Sequence, residues 1–151
     1  LLKNYLGHLA RFLVQSGTRV ALTLNNRRVE AVCVTLDCLA KALGARILTA
    51  DGSGPRAIER VYAGDRMSDL LNHTSPTALI VTNLATAQLV RAVALLDGSA
   101  VCLLNAIVPG PELLRAAANS GTVLMVSPFD MFETCGRLYD CLRRERSASP
   151  S

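Results

Sequence analysis

The chain has 151 residues, about the length of one domain. Half of its residues are hydrophobic and 19% are charged, which is too apolar for a disordered chain. No apolar run reaches the length of a membrane span, because Arg, Asp or Asn interrupts each one. The net charge of +4 is unevenly spread: residues 1–50 carry +5, residues 51–140 carry −3, and residues 143–146 carry +2.

The basic first third has no aromatic platform, no reading motif and no continuous basic stripe. Nucleic-acid binding there stays an alternative, and solvated arginines are the plainer reading. The cysteines Cys33, Cys38, Cys102, Cys135 and Cys141 are odd in number and lack the short pair spacing of a zinc site. They read as reduced thiols in apolar surroundings, without metal or disulfide, which points to the cytoplasm. The chain opens Leu1-Leu2-Lys3 without Met and without the basic, apolar and small-residue order of a secretory signal. It has the look of a fragment or a trimmed product.

In chain order, residues 1–16 place Leu2, Leu6, Leu9, Phe12 and Leu13 at helical spacing and predict an amphipathic helix. Residues 20–24 and 29–34 alternate about Asn25-Asn26 and predict a hairpin. A short helix over 36–43 ends at Gly44, and a strand over 46–49 follows. After a Gly/Ser/Pro loop, residues 57–63 read as one strand, and residues 64–69 lead into a helix through Leu70 and Leu71. From there the rhythm is regular. Apolar strands at 77–82, 100–104 and 122–126 alternate with helices at 85–96, 112–120 and from Ser127 onward, where Ser127 reads as N-cap and Pro128 as first residue. Strand–helix alternation with short connections implies parallel strands and right-handed crossovers. Continuously apolar strands imply helices on both faces. The expected fold class is α/β, a three-layer α/β/α sandwich with a mostly parallel sheet.

Ligands of such sheets lie beyond the carboxyl ends of the strands. Gly64, Asp65 and Ser68, Thr82 and Asn83, and Ser127 should converge there, offering backbone donors, hydroxyls and an amide to a small anion. Ser68, Asn83 and Ser127 are equally the residues of helix caps. Asp65 and Asp69, four apart, would share a helix face. His8 and His73 belong to no visible catalytic grouping, and the chain has no nucleophile elbow, phosphate loop or dinucleotide fingerprint. Catalytic residues, metal ligands and cofactors are therefore expected to be none.

Three segments resemble one family. They are Val61-Tyr62-Ala63-Gly64-Asp65-Arg66-Met67-Ser68-Asp69-Leu70-Leu71, then Ala78-Leu79-Ile80-Val81-Thr82-Asn83-Leu84 with Gln88-Leu89-Val90-Arg91, and the stretch from Val126-Ser127-Pro128-Phe129 to Tyr139. Together they make residues 34–143 similar to the DRTGG domain. The resemblance implies a non-catalytic three-layer α/β/α domain of the kind that stands alone, adjoins some phosphotransacetylases, or accompanies CBS modules in certain pyrophosphatases. The N-terminal domain of HPr kinase is similar in fold. It implies regulation, homodimer contacts and, beside CBS modules, adenine-nucleotide sensing. The string Asp-Arg-Thr-Gly-Gly and a kinase phosphate loop are both absent, so kinase activity is not carried over. Residues 1–33 fall outside the match and read as an N-terminal extension, the end of a preceding domain; residues 144–151 read as a disordered tail.

The expectation is a self-associating regulatory module that senses a small anionic metabolite or adenine nucleotide and serves an attached or partner catalytic domain. Met67, Leu70 and Leu71 are the candidate dimer contact, with core packing as an equal explanation. The rival reading is a phosphoryl- or acyl-transfer enzyme using Asp65 and Ser127 at the strand-end crevice.

Overall fold

The computed structural model describes residues 11–15, 19–24, 27–29, 34–49 and 54–147. Strands β1 (Arg11–Gln15), β2 (Arg19–Leu24) and β3 (Arg27–Val29) form an antiparallel sheet in the order β1-β2-β3. β2 and β3 pair as a hairpin, but the second strand is 27–29 where the alternation predicts 29–34, and residues 30–33 lie outside the described residues. Of the helix expected over 1–16, residues 11–15 are instead a strand paired with β2 from Arg11↔Thr23 to Gln15↔Arg19, and residues 1–10 and 16 lie outside the described residues. Phe12 and Val14 suit a strand as well as Leu9 and Leu13 suit a helix, and the presence of a pairing partner decides such an ambiguous run.

The main body begins with β4 (Val34–Thr35), which pairs with β6 (Ala57–Ile58). Helix α1 (Leu36–Leu43) is capped by Thr35, whose Oγ1 accepts from the Cys38 N–H, and is closed at Gly44 in the left-handed conformation. β5 (Arg46–Ile47) is antiparallel to β10 (Val123–Val126). The run 57–63 is two strands instead of one. The N–H groups of Glu59 and Arg60 both reach the Thr77 carbonyl, at 2.9 and 3.3 Å. At that kink the chain leaves β4 and joins the main sheet as β7 (Arg60–Ala63).

The sheet then builds regularly: α2 (Met67–Asn72), β8 (Ala78–Thr82), α3 (Ala87–Leu95), β9 (Ala100–Leu103), α4 (Pro111–Ser120), β10, and α5 (Met131–Ser147). The order is β5-β10-β9-β8-β7, with β7 to β10 mutually parallel. Every residue of β8, β9 and β10 is buried. Alternate side chains go to opposite layers. Leu79, Val81, Ala100, Cys102 and Met125 pack with Leu39 and Leu43 of α1 and Leu138 of α5. Ile80, Val101, Leu103, Leu124 and Val126 pack with Leu70, Leu89, Val93 and Leu113 of α2, α3 and α4. The fold is the expected three-layer α/β/α arrangement. α5 runs to Ser147, so residues 144–147, expected as part of a disordered tail, are helical; their Arg and Glu side chains are compatible with a solvated last turn. None of the helices is long and apolar enough to cross a membrane among the described residues.

Close packing is tightest after α3. A Cβ placed on Gly98 would lie 2.4 Å from Val93 Cγ1, 2.5 Å from Thr74 Cγ2 and 2.9 Å from the Val93 carbonyl. Gly98→Ala is therefore expected to destabilise the chain by about 1–3 kcal/mol. Urea unfolding should show a lower midpoint at unchanged slope, and an unshifted midpoint would mean the α3–β9 turn is looser than its geometry indicates.

Candidate functional site

The carboxyl ends of β7, β8, β9 and β10 share one rim of the sheet, and the loops that leave them are tied together by polar groups. Asp65, just past β7, is the knot. Its Oδ1 accepts from Thr82 Oγ1 at 3.0 Å and from the Asn83 N–H at 2.7 Å, and its Oδ2 accepts from Asn83 Nδ2 at 2.9 Å. Asn83 Oδ1 in turn accepts from Asn105 Nδ2 at 3.0 Å. The β9 loop is then bound to the β10 loop by backbone: Asn105 N–H to the Phe129 carbonyl and Ala106 N–H to the Ser127 carbonyl, both at 2.9 Å. Asn105 and Ala106 both have positive φ, 58° and 52°. Asn tolerates that region, whereas Ala is strained in it and is held there by its hydrogen bond.

The structure thus brings Asp65, Thr82 and Asn83 together, as their strand-end positions imply, and adds Asn105. Asn105 follows the apolar run of β9 much as Asn83 follows that of β8; that parallel is the signal the sequence carried. The remaining residues stand apart. The Gly64 N–H continues the ladder to the Val81 carbonyl at 3.0 Å and is not open to a ligand. Ser68 is exposed on α2, outside the network. Ser127 is fully buried, sharing a 2.8 Å hydrogen bond with Thr134 Oγ1 and accepting from the Phe129 N–H at 3.2 Å. It anchors a turn inside the core, so it neither faces a ligand nor caps the last helix. That cap is Asp130, whose Oδ1 accepts from the Glu133 N–H at 2.9 Å. Asp65 precedes α2 and is engaged by Thr82 and Asn83, so it shares no helix face with Asp69. Leu70 is fully buried in its own core, and Met67 and Leu71 pack half-buried against the same cluster.

Chemically the rim is quiet. The Asp65 carboxylate has donors on both oxygens, and Ser127 lies against Thr134, so the two do not form a nucleophile and base. Burial pushes the Cys102 thiol up to about 12, far from the thiolate that reactive chemistry needs. His73 stacks on the Tyr62 ring, centroids 3.7 Å apart, with Nδ1 2.8 Å from the Asp69 carbonyl. His8, Cys33 and the basic side chains of residues 1–33 lie outside the described residues. Beside the rim, between the first turns of α3 and α4, a cavity of about 420 Å³ is lined by Thr86, Gln88, Arg91, Gly110 and Glu112. Arg91 meets Glu112 at 3.5 Å. A second cavity of about 390 Å³ continues along the same two helices past Arg115 and Asn119. The sequence marks no site residue here, because polar positions on exposed helix turns carry no distinguishing pattern.

Burial pushes the Asp65 pKa upward, but the donors from Asn83 and Thr82 outweigh it and hold that pKa below the ordinary carboxylate range. A carboxyl depressed in the folded state contributes stability above its unfolded value, and that stability is lost as pH falls through the folded value. Asp65→Asn should cost about 1 kcal/mol at neutral pH, below the usual range for charged hydrogen bonds because the site is exposed. The variant should also lose less stability than the parent on acidification below about pH 4. Urea unfolding across that range checks it, and curves that run parallel at every pH would remove Asp65 as the knot of the rim.

No family model matches the chain, and no curated protein matches it in sequence. Among solved structures it is similar to the CBS and DRTGG domains of the regulatory region of Clostridium perfringens pyrophosphatase, crystallised with the activator diadenosine tetraphosphate. The TM-score is 0.61 at 11% identity, covering 93% of this chain and 68% of that one. At such an identity the likeness is one of fold: the chain has a fold like that of a CBS and DRTGG regulatory region.

Proposed function

We propose that the chain is a non-catalytic regulatory module of the DRTGG type, which self-associates and senses an adenine nucleotide or a related small anionic metabolite. The likeness to a regulatory region crystallised with a nucleotide activator carries this reading. The geometry supports it in two ways. The rim residues available for chemistry are consumed by each other, which favours a scaffold over a catalyst. The neighbouring cavity between α3 and α4 offers Gln88 as an amide for a base or ribose, and Arg91 and Arg115 for phosphates. In this reading Asp65, Thr82, Asn83 and Asn105 hold the loops at the cavity mouth in place and do not themselves contact the ligand. The free thiols of Cys102, Cys135 and Cys141 suit a reducing compartment such as the cytoplasm.

Calorimetric titration with AMP, ATP, diadenosine tetraphosphate and acetyl phosphate tests the sensing role. At least one adenine nucleotide should give saturable heat, and Arg91→Ala and Gln88→Ala should each weaken it about ten-fold. Silence from all four at high protein concentration would overturn nucleotide sensing. Binding that ignores both substitutions would move the site away from this cavity.

A further inference from the structure

The outer face of α5 carries more apolar surface than a solvated helix needs. Phe132 is 88% exposed and Tyr139 67% exposed; seven residues apart, they lie on one stripe two turns apart. Cys135 and Leu142 are half-buried along its edge. Beside Tyr139 a cavity of about 400 Å³ runs between α5 and β7, lined by Val61, Ala63, Leu138 and Leu142. Among the described residues β7 is an edge strand paired with β8 alone. The Arg60 and Gly64 N–H groups turn toward β8, onto the carbonyls of Thr77 and Val81. With a period of two, the N–H and C=O groups of Val61 and Ala63 turn outward, so the apolar stripe borders an open edge.

Gly136 sits in the middle of the stripe. A glycine inside a helix costs about 1 kcal/mol relative to alanine. A Cβ at this position would meet nothing within 4 Å, so no contact among the described residues requires it. A second backbone passing close to α5 would.

The charges select the occupant. α5 starts with Asp130 at its cap and Glu133 in its first turn, and it ends with Arg143, Arg144 and Arg146. Two copies of this helix laid antiparallel bring each Asp130 within about a turn of Arg143 and Arg144 of the second copy and oppose the two helix dipoles, while Glu133 stays with Arg137 at 2.7 Å and Arg146 with the Glu59 carbonyl at 3.1 Å in their own chain. With the two-fold axis at Cys135 and Gly136, each Phe132 meets the Tyr139 of the second copy, and the two glycines face each other where the backbones come nearest. We propose that the chain forms a two-fold symmetric dimer through antiparallel α5 helices, in contact across Phe132, Gly136 and Tyr139. This rests on the self-associating reading above and places its surface on α5, away from Met67, Leu70 and Leu71.

Sedimentation velocity of the full chain, over a micromolar to submillimolar series, tests it. The expected result is a dimer whose dissociation constant rises about ten-fold or more in Phe132→Glu and in Tyr139→Glu. Circular dichroism should show both variants folded, since both side chains are exposed. Gly136→Gln separates contact from folding, because losing a helix-interior glycine raises the melting temperature at dilution while the added side chain weakens the dimer. A dimer that ignores all three substitutions overturns the α5 surface and leaves self-association standing. A monomer at every concentration overturns both. Nucleotide sensing is scored separately by the calorimetry.

Discussion

Four short parallel strands, β7 to β10, hold this molecule together, and three of them are buried along their whole length. A parallel ladder buried in this way is useful only when both of its faces are covered, and the alternation of side chains achieves that. Val81 and Cys102 go to the α1 and α5 side, while Ile80 and Val101 go to the α2, α3 and α4 side. Each strand therefore ties two helical layers to one sheet, and a loss in any strand is felt in both cores. Arg56 reinforces the amino-terminal side, donating to the carbonyls of Ser99 and Gly121 in the turns before β9 and β10.

At the carboxyl-terminal side the same parallel arrangement creates a difficulty and an opportunity. Four chain segments leave the sheet together, and their polar backbone must find partners. Asp65 settles two of the loops with one carboxylate, Asn83 extends the connection to Asn105, and the backbone of residues 105 and 106 extends it to the β10 turn. The rim is thereby rigid and spent. Under the proposed function, a rim already held by its own hydrogen bonds suits a module that recognises a ligand, because binding energy is not consumed in ordering loops.

Under the proposed function, reporting needs a route to something else, and α5 offers one. Its inner stripe of Thr134 and Leu138 is committed to the core, while its outer stripe of Phe132 and Tyr139 is not. The helix begins at the rim, where Asp130 caps it and Thr134 holds Ser127. A change in the rim loops and a change in what covers the outer face would thus act on the same rigid element. Under the proposed function, that continuity gives ligand binding a physical means of biasing assembly.

Local patterning determined much of the fold. Unbroken apolar runs at β8, β9 and β10, the spacing of Leu89 and Val93, and the stops at Gly44 and Gly121 were sufficient to read strands, helices and a covered parallel sheet, because burial on both faces leaves an unmistakable composition. They also placed Asp65, Thr82 and Asn83 at one end of the sheet. What required the tertiary structure was every choice that depends on a partner. Residues 11–15 became a strand because β2 was available, and residues 57–63 broke at Glu59 because two different strands competed for them. Ser127 turned inward because Thr134 came within reach, Leu70 vanished into the core on one face of the sheet, and Tyr139 was left outside the core on the other. A side chain's type states what it can bond with; only the packed chain decides which neighbour is close enough to answer, and that decision separates a ligand contact from a cap, a clasp or a core residue.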